Sequence, residues 1–170
     1  HFYDPQRPQG VPWPRPDNAL LYRTVLPADF AAVARPCGVT GTVVVEASAW
    51  LEDNQWVLDL AADTPLIVGL VGHLEPGQPG FGEHLRRFAG NPLFRGIRCG
   101  GSYFSGEPGS ALTDDLRRLR DYDLELDVLV SKQHLRRVGA VAEQLPGLRI
   151  VINHIAHVPI DGQAPDPEWD

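Results

Sequence analysis

The chain alternates between short apolar runs and amphipathic segments, and this alternation limits the folds that it can adopt. The apolar runs have the length and β-branched character of strands that are buried on both faces. Five such strand candidates can be read, at 42–46, 66–72, 94–98, 124–130 and 149–154. Apolar residues recur at helical spacing between them, and the helix candidates are 53–62, 81–89, a helix that Thr113 caps, and 135–145.

Strands that alternate with helices pair in parallel through right-handed crossovers. The repeat of about 25–30 residues is typical of either a doubly wound sheet or a (β/α)8 barrel. No glycine fingerprint for a dinucleotide or phosphate follows the first run, where the chain reads Glu46-Ala47-Ser48. Its absence argues against a Rossmann domain but leaves other open sheets in consideration.

Residues 1–40 are rich in proline, which discourages helices and interior strands because it removes a backbone donor and fixes φ. The region also carries many large apolar residues, among them Phe2, Tyr3 and Trp13. It is therefore predicted to be a long ordered loop over the core, and such loops often carry function.

Composition excludes several classes of protein. With 170 residues, 43% hydrophobic and 22% charged, the chain is long enough for one domain with a sizeable core and is neither a disulfide miniprotein nor mostly disordered. A net charge of −7 argues against a dedicated nucleic-acid surface, and no apolar run reaches membrane-spanning length. Cys37 and Cys99 lack metal-site spacing, so a reducing, cytoplasmic compartment is expected.

Polar residues follow the predicted strands at their carboxyl ends. In parallel α/β folds these ends converge on one face, where the chemistry takes place. A polar residue after a strand can also be an ordinary turn or cap, so the joint pattern carries the prediction. The residues at these ends are Glu46, Ser48, His73, Arg98, Ser131, Lys132 and His154.

Each candidate has a structural alternative. His154 is either a core histidine or an imidazole directed into a site as acid, base or metal ligand. Glu46 could be a buried acid paired with an arginine, and Arg98 could clamp such an acid or bind a substrate carboxylate. His84, His134, His157 and Asp161 are expected at the surface, and Cys99 is expected to be a buried filler.

Several motifs, taken in succession, resemble a known group. They are His1-Phe2-Tyr3-Asp4-Pro5, Gly10-Val11-Pro12-Trp13-Pro14, Val45-Glu46-Ala47, Gly69-Leu70-Val71-Gly72, Arg95-Gly96-Ile97-Arg98 and Val151-Ile152-Asn153-His154. In this order they are similar to the amidohydrolase-related metal-dependent hydrolases, and within them to the branch of sugar lactonases and 2-pyrone-4,6-dicarboxylate lactonases.

The resemblance implies a (β/α)8 TIM barrel, incomplete here, with about six of the eight strand ends represented. The chain would be a single partial barrel domain, 1–170, with an ordered proline-rich loop at 1–40 after the first strand, β/α units at 41–155 and a loop at 156–170. His1 would be the second histidine of the family's His-x-His pair, Arg98 the arginine after the fourth strand, and His154 the histidine that ends the sixth. Because the sequence has no methionine, we expect it to be a piece of a longer hydrolase.

The resemblance further implies that water adds to the carbonyl of a lactone. His1 and His154 would be the catalytic histidines, or the ligands of a divalent metal such as zinc, although some lactonases of this branch use no metal. Glu46, Ser48, His73 and Arg98 would bind a small lactone or carboxylate substrate. The family's eighth-strand aspartate is not in the sequence, so the chain alone is expected to be a poor enzyme. Asn153 stands where the family commonly has aspartate, which leaves the exact substrate open.

Two other interpretations remain at this point. The chain could be a non-catalytic α/β binding or scaffold domain that has kept the core of the fold and lost its site, because the first histidine and the aspartate are both missing. An open flavodoxin-like sheet with an unrelated function is a third possibility.

Overall fold

A computed structural model describes residues 1–106 and 109–162. Its strands are β1 (Thr42–Val45), β2 (Ile67–Gly72), β3 (Phe94–Gly100), β4 (Glu125–Leu129) and β5 (Ile150–Ile152). Its α-helices are α1 (Pro27–Ala34), α2 (Leu51–Ala62), α3 (Phe81–Ala89), α4 (Ser110–Asp121) and α5 (Leu135–Gln144). Short 3₁₀ segments lie at Arg35–Cys37, Gly101–Phe104, Lys132–His134 and Asn153–His157.

The described strands lie in the order β1-β2-β3-β4-β5, and the pairs β1–β2, β3–β4 and β4–β5 are parallel. A doubly wound sheet reverses its strand order at a switch point, whereas a β/α barrel adds each strand beside the one before it. The sequential order is therefore that of a barrel and contradicts the flavodoxin-like alternative. In this register Val45 is paired with Val71, and Arg98 is paired with Asp127.

The strands and helices predicted from periodicity are confirmed to within a few residues at most ends. Strand β5 was predicted to extend to His154 but ends at Ile152. Asn153 and His154 therefore lie in the 3₁₀ segment that follows and do not belong to the strand. The Pro146-Gly147 end predicted for α5 is also found, since Gly147 has a positive φ of 90° that favours glycine.

Helix α1 was not expected, because the proline content of residues 1–40 argued against any helix. Pro27 is the first residue of α1, where the missing N–H would have no helical partner and the fixed φ suits the helix. The Asp29 side chain accepts a hydrogen bond from the Leu26 backbone N–H at 2.8 Å, which caps the first turn. The expectation was wrong here because proline at the first position begins a helix instead of breaking it.

The prediction that Thr113 caps a helix is also wrong. Helix α4 begins at Ser110, and Thr113 lies one turn inside it. Its hydroxyl donates a 3.3 Å hydrogen bond to the Gly109 carbonyl four residues earlier. A threonine inside a helix commonly satisfies its hydroxyl in this way, so the residue type alone did not locate the helix start.

The chain divides into two compact units, one made of 1–74 with 86–95 and the other of 75–85 with 96–170. In the first unit, Val44 and Leu70 of the strands are at most 2% exposed, and the rings of Phe88 and Phe94 stack at 5.6 Å. The core of the second unit is built from side chains that are at most 1% exposed, namely Ile97, Leu116, Leu119, Leu126, Val128 and Leu145. Each unit therefore has an apolar core of its own.

The predicted loop 156–170 lies outside the described residues from position 163 onward. Within the described ranges, no helix combines the length and the apolar character that crossing a membrane would require.

Candidate active site

His1 lies at the carboxyl end of β1. Its ring Nδ1 is 2.7 Å from the carbonyl oxygen of Val45, the last residue of the strand. A carbonyl only accepts, so Nδ1 carries the proton, and in the neutral imidazole the lone pair is on Nε2. The centroid of the His1 ring lies 5.5 Å from that of the Trp13 ring, in an edge-on arrangement. Glu46 follows directly after β1, and its backbone N–H donates a hydrogen bond to the Val71 carbonyl. These contacts give His1 the tautomer that a general base or a metal ligand requires.

Ser48 is buried, and its hydroxyl is engaged in two hydrogen bonds within the chain. It donates a hydrogen bond to the Asp53 carboxylate and accepts one from the Trp50 N–H at 3.2 Å. Arg7 reaches the same carboxylate at 2.5 Å, and its guanidinium lies 5.0 Å from the Trp50 ring and 4.2 Å from the Trp56 ring. Ser48 thus belongs to a network that ties the N-terminal loop to α2.

His73 follows β2 and is held through its backbone. The Asn54 side chain accepts from the His73 N–H at 2.9 Å and donates to the His73 carbonyl at 2.8 Å. A Cβ on Gly72 would lie 2.2 Å from Asn54 Oδ1, so only glycine leaves room for this clamp. The His73 Nε2 atom is buried and has no hydrogen-bond partner in the described part of the chain.

Arg98 and Asp127 are paired in the register of β3 and β4, in the second unit. Asp127 is 4% exposed, and one of its carboxylate oxygens accepts a 2.9 Å hydrogen bond from the Asn153 amide. Burial raises the pKa of Asp127, while the Asn153 hydrogen bond and the charge of Arg98 act in the opposite direction. The Asn153 Oδ1 atom is buried without a partner among the residues described.

His154 lies in a strained turn after β5. The backbone from His154 to His157 has φ values of 51°, 46°, 53° and 56°, and none of these residues is glycine. The left-handed region costs an L-residue about 1–2 kcal/mol, and such strain collects at functional sites. His157 anchors the turn, because its Nδ1 donates a 3.0 Å hydrogen bond to the Val130 carbonyl after β4. The exposed His154 ring is 5.6 Å from that of His157.

Tyr103 follows β3 in the second unit. Burial raises the pKa of Tyr103 to about 12, and electrostatic interactions with Cys99 and Glu75 act in the same direction. The phenol therefore keeps its proton at neutral pH.

The structure places the sequence-predicted residues in two groups, one in each unit. The first unit holds His1, Glu46, Ser48 and His73, and the second holds Arg98 and His154. Cys99 is a buried filler, as expected. His134, expected at the surface, is half-buried, and its ring lies against Gly101, where an added Cβ would meet it at 2.9 Å.

Sequence reasoning missed Asp127, Asn54 and Tyr103. Asp127 carried a signal, since it is an acid in the middle of the apolar run 124–130. A charge at such a position is costly unless it is paired, and this pointed to a partner on a neighbouring strand. Asn54 and Tyr103 had no comparable signal, because each lies in a segment where polar residues are ordinary.

The described residues do not form a metal centre by themselves. Across 1–106 and 109–162, no three His, Cys, Asp or Glu side chains come together in a group that could hold an ion. A zinc site usually requires at least three protein ligands.

Comparison with known proteins gives a family match along the whole chain, since the amidohydrolase family model matches residues 1–170. The L-fucono-1,5-lactonase of Burkholderia ambifaria is 31% identical over an alignment of 165 residues that covers 94% of this chain and 56% of that protein. The chain thus spans about half of the length of this curated relative.

Solved structures show the same fold. An amidohydrolase from Burkholderia multivorans with bound zinc matches with a TM-score of 0.77 at 22% identity, over 92% of this chain and 56% of that one. A probable 2-pyrone-4,6-dicarboxylic acid hydrolase from Acinetobacter baumannii, with citric acid bound, matches with a TM-score of 0.69 at 17% identity, over 86% and 54%. These matches confirm the predicted fold class, an α/β barrel that is incomplete in this chain.

Proposed function

The chain belongs to the amidohydrolase family, and we propose that it is part of a hydrolase that opens a lactone, the cyclic ester of a sugar acid or a dicarboxylic acid, by adding water to its carbonyl. The observation that carries the proposal is the 31% identity, over 94% of this chain, to a protein named L-fucono-1,5-lactonase. The structural likeness to a probable 2-pyrone-4,6-dicarboxylic acid hydrolase agrees with it, because that name also describes hydrolysis of a cyclic ester.

In this proposal the histidines carry the acid–base chemistry. Ring-opening requires that a proton leave the attacking water, that negative charge on the carbonyl oxygen be stabilised, and that the ring oxygen be protonated as it leaves. The Nδ1 contact of His1 to the Val45 carbonyl supports a role for its Nε2 as a base or a hydrogen-bonding partner. His154 is proposed as the second catalytic histidine, supported by its exposure and by the strained turn that holds it.

Arg98, His73 and Glu46 are proposed to bind substrate. Arg98 supplies the planar donor fork that recognises carboxylates, in agreement with a product or substrate that carries one. His73 and Glu46 follow directly after their strands, and the Asn54 clamp fixes the His73 backbone. The geometry favours a supporting role for Ser48, whose hydroxyl is engaged with Asp53.

The proposal assigns no step to a divalent metal such as zinc, and zinc is varied only as a condition of the assay. The structural relative from Burkholderia multivorans was crystallised with bound zinc. The described residues of this chain do not gather a ligand set, so no step above passes through a metal. We further propose a cytoplasmic enzyme that acts on small molecules, with neither nucleic acid nor membrane as partner.

The proposal is tested by offering the gene product that contains residues 1–170 a panel of lactones. The panel contains L-fucono-1,5-lactone, other sugar lactones and 2-pyrone-4,6-dicarboxylate, each with and without zinc. Ring-opening releases one acid equivalent, which a pH indicator follows. We expect hydrolysis of at least one sugar or dicarboxylate lactone well above the rate without protein. A panel left untouched under every condition would refute the proposal.

A further inference from the structure

Arg98 stands on a face of β3 where the flanking positions of the strand are glycines, and the Glu125 side chain of β4 lies against the first of them. Gly96 and Gly100 lie two residues before and after it, and they therefore share its face of β3. A Cβ at Gly96 would lie 2.2 Å from the Glu125 carbonyl oxygen, so β3 and β4 approach closely there. A Cβ at Gly100 would meet no atom within 4 Å. The space beside Arg98 is thus open toward the carboxyl end of β3.

Asp127 occupies the position next to Arg98 on the neighbouring strand. Residues paired in parallel register lie side by side and point to the same face of the sheet. Asp127 is buried, and Asn153 donates to its carboxylate at 2.9 Å from the segment after β5. One residue from each of three consecutive strand regions therefore forms the row Arg98, Asp127 and Asn153.

A buried carboxylate at this place requires an explanation. Burying a charge costs several kcal/mol unless a counter-charge and hydrogen bonds compensate for it, and an apolar residue of similar size would often be more stable. The acid is therefore better explained by what it does to its partner than by stability.

We propose that Asp127 is a positioning residue: together with Asn153 it orients the Arg98 guanidinium so that the guanidinium binds a carboxylate of the substrate in the open space beside Gly100. The identity of the substrate rests on the proposed lactonase function, whereas the orientation of Arg98 does not. Asp127 touches no reacting atom in this account and acts only through Arg98.

The kinetic test compares a lactone that carries a carboxylate with a neutral sugar lactone. Asp127→Asn keeps the shape and removes the charge, so we expect KM for the carboxylate-bearing lactone to rise about tenfold with kcat within about twofold. KM for the neutral lactone is expected to change less than about twofold. In an Arg98→Met background, Asp127→Asn should have no further effect on either substrate. Equal losses on both lactones, or a further loss in the Arg98→Met background, would overturn the proposal.

Two further variants distinguish the positioning role of Asp127 from a general loss of folding. Asn153→Ala removes one hydrogen bond to Asp127 and is expected to give the same pattern at about threefold in KM. Asp115→Asn is the matched control, because Asp115 is also a buried acid but holds the Gly77 backbone N–H from α4. It is expected to lower stability and leave the ratio of the two KM values unchanged. A shift of that ratio in Asp115→Asn would assign the effect to general destabilisation and contradict the proposal.

A spectroscopic measurement separates this proposal from the lactonase function. The Arg98 Nε–H signal, assigned by its loss in Arg98→Lys, should exchange slowly with solvent in the wild-type protein and rapidly in Asp127→Asn. This outcome requires no turnover, so it can be obtained even if no lactone is hydrolysed. Exchange that is equally fast, or equally slow, in both proteins would overturn the positioning role of Asp127.

Discussion

At the scale of single residues, the chain places polar groups where burial makes them costly. Asp127 is the clearest case, as a carboxyl that is 4% exposed in the middle of β4. Asn54 is 2% exposed, and its side-chain amide both donates a hydrogen bond to the His73 carbonyl and accepts one from the His73 N–H. Asn54 holds His73 and Asp127 is paired with Arg98 in the strand register, and both neighbours were already candidates, so the supporting groups became visible only in three dimensions.

The charge of Asp127 gives stability a particular dependence on pH. Burial raises its pKa above the ordinary value of 3.8, so the folded chain holds this proton more tightly than the unfolded chain does. The contribution of such a group to the free energy of unfolding falls as pH rises from the ordinary pKa through the raised one. We therefore expect the wild type to lose stability relative to Asp127→Asn across that window, as measured by urea unfolding at a series of pH values.

The control for this experiment is Asp17→Asn, since the Asp17 side chain is 78% exposed. Its difference from the wild type is expected to stay within about 0.5 kcal/mol at every pH. A difference between wild type and Asp127→Asn that is constant, or that shifts in favour of the wild type as pH rises, would contradict the account of Asp127.

The Asn54 clamp predicts a large loss on truncation. Asn54→Ala removes both hydrogen bonds to His73 and leaves a buried N–H and C=O without partners, so the free energy of unfolding is expected to fall by about 2–4 kcal/mol. Urea unfolding measures this, and Gln55→Ala, one position further along α2, is the matched control with a change below about 1 kcal/mol. Equal losses in the two variants would show that the clamp contributes nothing specific.

At the scale of elements, periodicity predicted the strands and helices from β1 to α5 because each buries apolar side chains, and it also predicted β5, whose Val151 and Ile152 are more than 40% exposed. It failed where local chemistry decides the outcome. Helix α1 depends on Pro27 and Asp29 at its first turn, and the turn after β5 depends on left-handed backbone at residues such as Ile155, which the sequence does not favour. Such features are set by neighbouring residues that a linear pattern does not contain.

Helix α1 offers a direct test at this scale. Asp29→Ala removes the acceptor for the Leu26 N–H and is expected to cost about 1 kcal/mol in the free energy of unfolding. Asp29→Asn should recover most of this loss, because its amide oxygen also accepts. Should alanine and asparagine destabilise equally, the charge of Asp29 and not its hydrogen bond would be responsible.

At the scale of the whole molecule, the strand order and the family match agree. Sequential strands exclude the open sheet that periodicity alone had left possible, and the amidohydrolase model matches from residue 1 to residue 170. The strand-end rule predicted His73, Arg98 and His154 as candidates, because chemistry in parallel α/β folds lies at the carboxyl ends of the strands, whereas His1 was predicted from the family resemblance. The rule could not identify Asp127, because Asp127 lies inside β4 and its proposed role depends on its pairing with Arg98 in the register of β3 and β4.

The net charge of −7 over these 170 residues bears on the proposed role of Arg98. These residues do not attract a carboxylate through a long-range field of their own, so in the proposed role the attraction is local and short in range. In that proposal an arginine oriented by a buried acid provides directed donors even though the charge of the pair is partly compensated.

The central claim is that histidines of this chain carry lactone ring-opening, and kcat/KM of His154→Gln on L-fucono-1,5-lactone tests it most directly. His84→Gln, on α3 and outside the proposed machinery, is the control, and thermal unfolding checks that both variants fold. We expect a loss of about a hundredfold or more in kcat/KM for His154→Gln and a change below about twofold for His84→Gln. A folded His154→Gln enzyme that opens the lactone at the wild-type rate would contradict it.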